Sequence, residues 1–418
     1  MSGPCGGPPP LPVVERAPAS AGGPNRSGGA SRSGGQGLLG AVAAYGLSGA
    51  PALRARVDTP LEDGAWEALL GAARGERLTG ALVAAVEAGA FPVSPSQEAE
   101  LFETHLEAVC RVLSLERTLL EVCARFQAAG IDHRVLKGAA VAHLDYVPSS
   151  MRTYADVDLL VRGDQIDAAI ALLGGEGWER QYPEPRPGFT GRFGKGMSLV
   201  RDGGPEIDLH RVLADGPFGQ RVEPELLFAG SERFVLGGRE LRGLGRTERL
   251  LHACYHACLG GVPARLWTLR DVAQLGCAPD LDADAVVALA ARWGAQIVVA
   301  RAVRSAWAVL GLEVEPGAEP GLLVWAQSYR ATSREERWLA PYLVAGWYPG
   351  QAVAAVAGIR GARAKLAYVA GLAFPQRSYV AGRDTSRVAR WRRGARVFGQ
   401  GWRLRPVAGS GGEESRVE

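Results

Sequence analysis

The 418-residue sequence carries little net charge, and its few cysteines are scattered. A formal net charge of +3 provides no strong overall field for nucleic acid or for an anionic membrane. Six cysteines spread over a chain of this length are more typical of a reducing cytoplasm than of a disulfide framework. The first 36 residues are rich in glycine and proline and contain no apolar segment of a secretory signal. We therefore expect a cytoplasmic location.

Long uncharged runs are also scarce, and the one candidate is interrupted. Residues 338–359 carry no charged side chain and lie between Arg337 and Arg360, so the run is long enough to cross a bilayer. Pro341 and other turn-forming residues interrupt it, and its second half is mostly alanine and valine, which are weakly apolar. The sequence therefore favours two core helices joined at residues 348–350, with no membrane partner.

Composition and periodicity divide the chain into helical ends around a central mixed segment. An α+β fold follows, with a small mixed β-sheet core flanked by N-terminal and C-terminal helical regions. We predict five segments, which are a disordered Gly/Pro-rich tail at 1–36, an N-terminal helical region at 37–130, the core at 131–245, a C-terminal helical region at 246–400 and a flexible tail at 401–418.

Two short acidic segments in the core are its most informative feature. Residues 156–161 and 206–210 are apolar runs with acidic side chains at every second position, and each is predicted to be a strand. Because side chains alternate along a strand, Asp156 and Asp158 share one face of the first. If the strands are neighbours, Asp208 joins that pair. Crowded carboxylates repel each other unless a cation lies between them, and oxygen ligands suit Mg²⁺. The pattern thus indicates phosphoryl or nucleotidyl transfer.

The same residues admit structural roles. Asp156 and Asp158 are alternatively solvent-facing residues of an edge strand, and Asp208 a surface residue beside a turn. Glu206 and His210 share the face of Asp208 and are secondary candidates for the site. Glu206 is interpreted first as a residue flanking the strand, while His210 either packs at the sheet edge or contacts the substrate.

A Lys-Gly pair and an arginine complete the candidate site. Gly138 is predicted to end a strand over 133–137 and to begin a helix, so that backbone N–H groups can approach a phosphate. Lys137 is placed to reach a phosphate as a point charge, and Arg152 to pair with a carboxylate or with a γ-phosphate. An exposed strand-end lysine and a structural ion pair are the respective alternatives.

Taken together, these segments resemble a known family. The runs 135–140, 151–152, 156–161 and 206–210 are similar to those of the uncharacterised bacterial nucleotidyltransferase family, within the polymerase-beta-like nucleotidyltransferase superfamily. The resemblance covers roughly residues 100–395. Where the superfamily usually has a Gly-Ser pair, this chain has Lys137-Gly138.

The resemblance implies a two-metal nucleotidyltransferase with NTP as its substrate. Asp156, Asp158 and Asp208 would be the catalytic residues and would hold two Mg²⁺ ions, and Asp208 would help to deprotonate a hydroxyl of the acceptor. The acceptor is a small molecule, a protein or RNA, and pyrophosphate is released. The alternatives are a catalytically inactive nucleotide-binding protein of the same fold and an RNA-modifying or toxin-like transferase.

Two further motifs receive structural interpretations. His252, Cys254, His256 and Cys258 suggest zinc, but on one helix the histidines and the cysteines point in nearly opposite directions, which favours core packing for the cysteines. Residues 383–405 are rich in arginine with interleaved aromatics, which is compatible with nucleic acid. A solvated helical face is the favoured interpretation of that segment, because the overall charge is small.

Overall fold

One mixed seven-stranded sheet organises the chain. The computed structural model describes residues 31–313, 321–344 and 348–380. The strand order is β3-β4-β5-β2-β1-β7-β6. The strands are β1 (His133–Val135), β2 (Val157–Val161), β3 (Glu179–Arg180), β4 (Gly196–Val200), β5 (Ile207–His210), β6 (Ser231–Leu236) and β7 (Arg239–Leu244). With helices before and after this sheet, the predicted α+β class is confirmed.

Strand β2 lies at the centre of the sheet. It pairs antiparallel with β1 and parallel with β5. All five of its residues are buried, which is typical of a strand covered on both faces. An aspartate within such a strand needs a polar partner, since burying an unpaired charge is costly.

The turn residues at 202–205 and at Gly237-Gly238 predict two β-hairpins, and the structure confirms both. Strands β4 and β5 pair antiparallel on either side of the turn at residues 202–205. Strands β6 and β7 pair around Gly237-Gly238, whose φ angles of 54° and 76° are those of a tight hairpin turn that glycine adopts without strain. Strand β3 was not predicted, because two residues are too few to show a period.

Helices precede, separate and follow the strands along the chain. They are α1 (Ser31–Ala44), α2 (Asp63–Gly75), α3 (Thr79–Glu87), α4 (Pro95–Ala128), α5 (Lys137–Asp145), α6 (Ile166–Gly174), α7 (Phe189–Phe193), α8 (Gly216–Gly219), α9 (Pro224–Ala229), α10 (Arg246–Leu259), α11 (Leu266–Gly276), α12 (Ala283–Trp293), α13 (Gln296–Leu310), α14 (Gly321–Ser328), α15 (Ser333–Leu339), α16 (Tyr348–Gly358), α17 (Ala362–Ala373) and α18 (Arg377–Val380). Short 3₁₀ turns occur at Leu53–Ala55, Ser149–Met151 and Ala340–Leu343.

Two large hydrophobic cores, and a smaller cluster that includes Phe193 of α7 and Tyr368 of α17, hold these elements together. The first core joins helices from both ends of the chain, for example Trp66 of α2 and Trp293 of α12, and it includes Leu160 of β2. The second core lies against the sheet and includes Leu159 of β2 and Phe126 of α4. Adjacent residues of β2 therefore belong to different cores, as the alternation of side chains along a strand requires.

Several predicted helix boundaries were wrong, mainly at glycine. The apolar pattern of the sequence predicts a single helix over 282–311, but Gly294 has a φ of 62° and ends α12 before α13 begins. The pattern likewise predicts one helix over 352–372, which the structure divides at Gly361, with a φ of 84°. Helix α16 already begins at Tyr348, where a turn was expected, and α1 begins at Ser31, within the predicted tail.

None of the helices within the described ranges is long and apolar enough to cross a membrane. The arginine-rich segment at 383–405 and the tail at 401–418 lie outside the described residues, as do residues 1–30. The segment boundaries at 130, 245 and 400 stay predictions.

Candidate active site

The parallel pairing of β2 with β5 brings the acidic segments together. Asp158 lies opposite Asp208 in the register, and Leu160 lies opposite His210. Asp158, Asp208 and His210 each offer a ligand atom, and these atoms lie within 4.8 Å of one another. Two of the three predicted carboxylates thus meet, together with the histidine that was a secondary candidate.

Asp158 is the buried centre of this group. One of its oxygens, Oδ1, accepts a hydrogen bond from Lys137 Nζ at 2.6 Å and lies 2.7 Å from His210 Nε2. Burial alone would raise the pKa of Asp158, but the Lys137 ammonium and the His210 hydrogen bond outweigh it and hold the pKa well below its usual range. Asp158 is therefore a carboxylate, charge-balanced by lysine.

The backbone presents Lys137 to this carboxylate in an unusual conformation. Lys137 has a φ of +36°, a region that side chains other than glycine rarely adopt, at the junction between β1 and α5. The preceding residue, Leu136, donates its N–H to the carbonyl of Asp158 at 2.9 Å. The junction is thus bonded to Asp158 of β2 through the backbone of Leu136 and the side chain of Lys137.

Asp208 is held by a neighbouring strand. Ser198 of β4 lies opposite Asp208 in the register, and its Oγ donates to Asp208 Oδ1 at 2.5 Å. The side chain of Asp208 is only half-buried, whereas Asp158 is fully enclosed. Asp208 is therefore the carboxylate of the pair that a substrate can reach.

Asp156 lies at the edge of the group, one residue before β2 begins. It is not among the residues that converge within 4.8 Å. Burial and the neighbouring Asp158 carboxylate raise the pKa of Asp156 to about 6, against the opposing charges of Lys137 and Arg77. The Asp156 carboxyl is therefore harder to ionise than a solvated one, chiefly because it is buried.

The donor set fits a divalent cation. Two carboxylates and an imidazole converge, and the Asp156 carboxyl, whose pKa is raised by burial and by Asp158, lies beside them. Oxygen donors of this kind suit Mg²⁺, which is commonly held by one or two carboxylates together with substrate phosphates. Asp158 and Asp208, with Asp156 beside them, could hold such an ion.

Two buried histidines extend the site behind Asp158. Burial and the nearby Lys137 lower the pKa of His210 and keep the pKa of His252 well below its usual range, so both rings are neutral. Their centroids lie 6.3 Å apart. Within the described structure, Nδ1 of His210 and Nε2 of His252 have no hydrogen-bond partner. Unpaired buried nitrogens of this kind are uncommon and accumulate at functional sites.

Arg152 has a different environment from its predicted one at a γ-phosphate. Its Nε and Nη2 donate to the two carboxylate oxygens of Asp271, each at 2.8 Å, and Tyr146 donates to the same carboxylate at 2.9 Å. Arg152 is 3% exposed. This geometry corresponds to the structural ion pair, the alternative considered for Arg152, with α11 supplying the partner.

Gly138 and Glu206 also differ from their expected environments. A Cβ on Gly138 would lie 2.6 Å from Cγ of Tyr154, so close packing against that ring explains the glycine without a phosphate. Glu206 supplies its carbonyl to the N–H of Val157 at 3.0 Å, and its side chain lies outside the converging group. Phosphate binding at Gly138 stays a prediction.

Sequence reasoning missed several residues around the site. Ser198 was within reach of prediction, since the hairpin turn at residues 202–205 fixes which residue faces Asp208. Trp267, which contacts the ring of His256, and Arg77, which lies far away in the sequence, gave no local signal. The buried cysteines Cys254 and Cys258 belong to the first core, as expected.

Comparison with known proteins adds a family match. A model of the family described as uncharacterised nucleotidyltransferase matches residues 62–311. A search of curated proteins finds no match to this chain. The match therefore covers every strand of the sheet and helices α2 to α13.

Two solved structures are also similar. A solution structure of the antibiotic-resistance factor ANT(2'')-Ia is 20% identical with a TM-score of 0.29, and the match covers 46% of this chain and 94% of that chain. A crystal structure of an antigenic nucleotidyltransferase-like protein from Paracoccidioides brasiliensis is 15% identical with a TM-score of 0.29, covering 49% of this chain and 95% of that chain.

Proposed function

This chain belongs to the uncharacterised nucleotidyltransferase family, and on that premise we propose that it is an Mg²⁺-dependent enzyme that transfers a nucleoside monophosphate from an NTP to a hydroxyl group. Pyrophosphate is the second product. The observation that carries the proposal is the register of β2 and β5, which sets Asp158 beside Asp208. The acceptor is a small molecule, a protein or RNA, and the reaction is cytoplasmic.

The carboxylates are proposed to hold the metal. Asp156, Asp158 and Asp208 would bind two Mg²⁺ ions, and His210 supports the group through its hydrogen bond to Asp158. Bound Mg²⁺ would neutralise the phosphate charge that develops during transfer. The convergence of Asp158, Asp208 and His210 supports this assignment.

The chain's own groups position the reactants and move the proton. The ammonium of Lys137 is bonded to Asp158, and in this position it would also contact a phosphate of the NTP. Oδ1 of Asp208 already accepts from Ser198, so its other oxygen, Oδ2, takes the proton of the acceptor hydroxyl. The hydroxyl oxygen then bonds to the α-phosphorus, the bond from the α-phosphorus to the bridging oxygen breaks, and pyrophosphate leaves.

Incubation with Mg²⁺, each α-labelled NTP and a cell lysate tests the proposal. Asp208→Asn keeps the shape of the side chain and should reduce label transfer by at least ~100-fold, as expected for a lost metal ligand and base. Asp164→Asn, an exposed aspartate beyond the other end of β2, is the matched control and should transfer normally. Label transfer that survives in Asp208→Asn would refute the mechanism.

One observation favours a second candidate, a nucleotide-binding protein without transferase activity. The Lys137 ammonium already occupies an oxygen of Asp158, so a single charge partly substitutes for a metal there. Calorimetry separates the candidates, because binding of NTP with Mg²⁺ but no pyrophosphate release with any acceptor would support the non-catalytic protein. The RNA-modifying or toxin-like alternative depended on residues 383–405, which lie outside the described structure.

A further inference from the structure

A triphosphate at this site needs cations other than Arg152. Arg152 is buried and bonded to Asp271 through two hydrogen bonds, so its guanidinium is committed to the fold. An NTP brings up to four negative charges. Lys137, the other cation of the predicted site, is already paired with Asp158 and cannot balance them by itself. Two other basic residues lie around the site on separate parts of the chain: Arg77 contacts the ring of Trp267, and Lys195 precedes Gly196, which lies opposite His210.

Arg77 is placed beside the site by the turn between α2 and α3. Its guanidinium carbon lies 4.9 Å from the centroid of Trp267, a ring that also has Arg152 at 4.5 Å. Such a position over an indole face is attractive for a cation. Arg77 has a φ of +55°, so the backbone adopts an unfavourable conformation where this side chain leaves the turn.

The residue before Arg77 fixes this turn onto α11. The carboxylate of Glu76 accepts from the N–H of Leu266 at 2.8 Å and from Nη1 of Arg265 at 3.0 Å. An acidic side chain at the start of a helix is favourable because the unpaired N–H groups lie there. The turn is therefore anchored, and Arg77 keeps its place on Trp267 without depending on a ligand.

The charge of Arg77 acts on Asp156. Arg77 and Lys137 are the two positive groups that lower the pKa of Asp156, against the effect of burial. The side chain of Arg77 is only half-buried. Asp156 and Asp158 share one face of their strand. Arg77 therefore lies on the Trp267 ring beside the site, and its half-buried side chain is within reach of solvent.

Lys195 lies at the start of β4, next to the end of β5 that carries His210. It immediately precedes β4, and its carbonyl accepts from the N–H groups of Arg211 and Val212 at 2.6 and 3.1 Å, which fixes its backbone next to β5. Its charge acts on His210 and His256. Within the described part of the chain its ammonium forms no ion pair. A half-buried lysine in this position is available for an anion.

We propose that Arg77 and Lys195 bind the phosphate groups of the NTP beside the Asp158–Asp208 pair. The inference rests on the proposed function and makes it more specific, because it assigns polyphosphate recognition to two residues outside the sequence motifs. Arg77 lies in the N-terminal helical region, so the site is complete only when that region is folded against the core.

The test is calorimetric binding of a non-hydrolysable NTP analogue, inorganic tripolyphosphate and an NMP, each with Mg²⁺. Arg77→Gln and Lys195→Gln should each weaken NTP and tripolyphosphate binding about tenfold, as expected for one lost charge-assisted contact, and leave NMP binding within about twofold. Arg77→Lys should recover part of the loss. Arg74→Gln, an exposed residue of α2 paired with Glu107, and Lys365→Gln are matched controls.

The outcomes separate this inference from the proposed reaction. If both glutamine variants bind tripolyphosphate like the wild type, or lose NMP affinity equally, the inference is overturned while transfer activity can stand. If the glutamine variants bind tripolyphosphate more weakly but the wild type transfers no label to any acceptor, the anion site is supported and the proposed reaction is refuted. A wild type that binds neither NTP nor tripolyphosphate overturns both. Thermal unfolding of every variant checks that each one is folded.

Discussion

The two aspartates of the first acidic segment, Asp156 and Asp158, have opposite electrostatic environments. Asp158 is buried, but Lys137 and His210 hold its pKa well below the usual range. The pKa of Asp156 is raised to about 6 because burial and its carboxylate neighbours outweigh the nearby cations. An imbalance of this kind lowers the stability of the metal-free protein and favours cation binding, as expected of a functional site that is not optimised for stability.

Asp156→Asn should therefore stabilise the metal-free protein at neutral pH. Between about pH 4 and 6 the unfolded chain has lost a proton that folded Asp156 keeps, so the free energy of unfolding falls as pH rises through this window. The loss is about 1–3 kcal/mol, allowing for the partial exposure of the side chain. Urea unfolding in EDTA should show the variant more stable than the wild type at pH 7.5 and equal to it near pH 4.

Mg²⁺ provides the complementary measurement for Asp156. Because it binds the ionised carboxylates, Mg²⁺ should raise the stability of the wild type at pH 7.5 more than that of Asp156→Asn. Asp164→Asn should behave as the wild type in both media. Identical pH profiles for wild type and Asp156→Asn would contradict the environment assigned to this carboxyl.

At the scale of secondary structure elements, the sequence predicted the features that depend on local residue patterns, such as shared strand faces and hairpin turns. The period of two along residues 156–161 and 206–210 predicted which carboxylates share a face, and the hairpin at residues 202–205 was confirmed through its turn residues. The partner of Arg152 was not predictable, since Asp271 lies 119 positions away and nothing local links the two. Helix ends at Gly294 and Gly361 were missed because glycine is also tolerated within helices.

The start of α5 offers a test of why glycine follows Lys137. In Gly138→Ala the new Cβ would lie 2.6 to 2.9 Å from atoms of Tyr154, so the ring or the helix must move. We expect a destabilisation of about 1–3 kcal/mol, as for overpacking in a core. Urea unfolding measures it.

Gly174→Ala in α6 is the matched control for this substitution. Nothing lies within 4 Å of its added Cβ, so alanine should stabilise the protein by about 0.4–1 kcal/mol through its helix preference. If Gly138→Ala is as stable as the wild type but binds NTP more weakly, the glycine serves phosphate approach rather than packing against Tyr154.

At the scale of the whole molecule, the helical regions before and after the sheet form a single packed unit. The first core contains Val42 of α1, Leu82 of α3 and Val303 of α13. Arg270 of α11 is 2% exposed and donates through Nη1 to the carbonyls of Ala43 and Tyr45, at 2.9 Å in the second case. The N-terminal and C-terminal helical regions predicted from composition are thus neighbours in space, which no local pattern in the sequence indicates.

Arg270→Met should therefore destabilise the whole unit, although the change lies far from the carboxylates. Methionine has a similar reach but leaves the buried carbonyl of Ala43 and the part-buried carbonyl of Tyr45 without this donor, which costs about 1–3 kcal/mol. Arg54→Met is the control, because Arg54 also donates to a carbonyl, that of Gly89, but at an exposed position, where a substitution changes stability by at most about 0.5 kcal/mol. Urea unfolding followed by circular dichroism gives both values.

Amide exchange in Arg270→Met distinguishes one cooperative unit from two. Because α1, α3 and α13 share the first core, their slowest amides should lose protection at the same urea concentration, and NTP binding should disappear with them, since Arg77 belongs to this unit. Early exchange confined to α1 and α2 with α12 and α13 still protected would mean that the N-terminal helices unfold alone. In that case nucleotide affinity should fall before the sheet unfolds, because the turn that carries Arg77 would be released while Asp158 and Asp208 remain paired across β2 and β5.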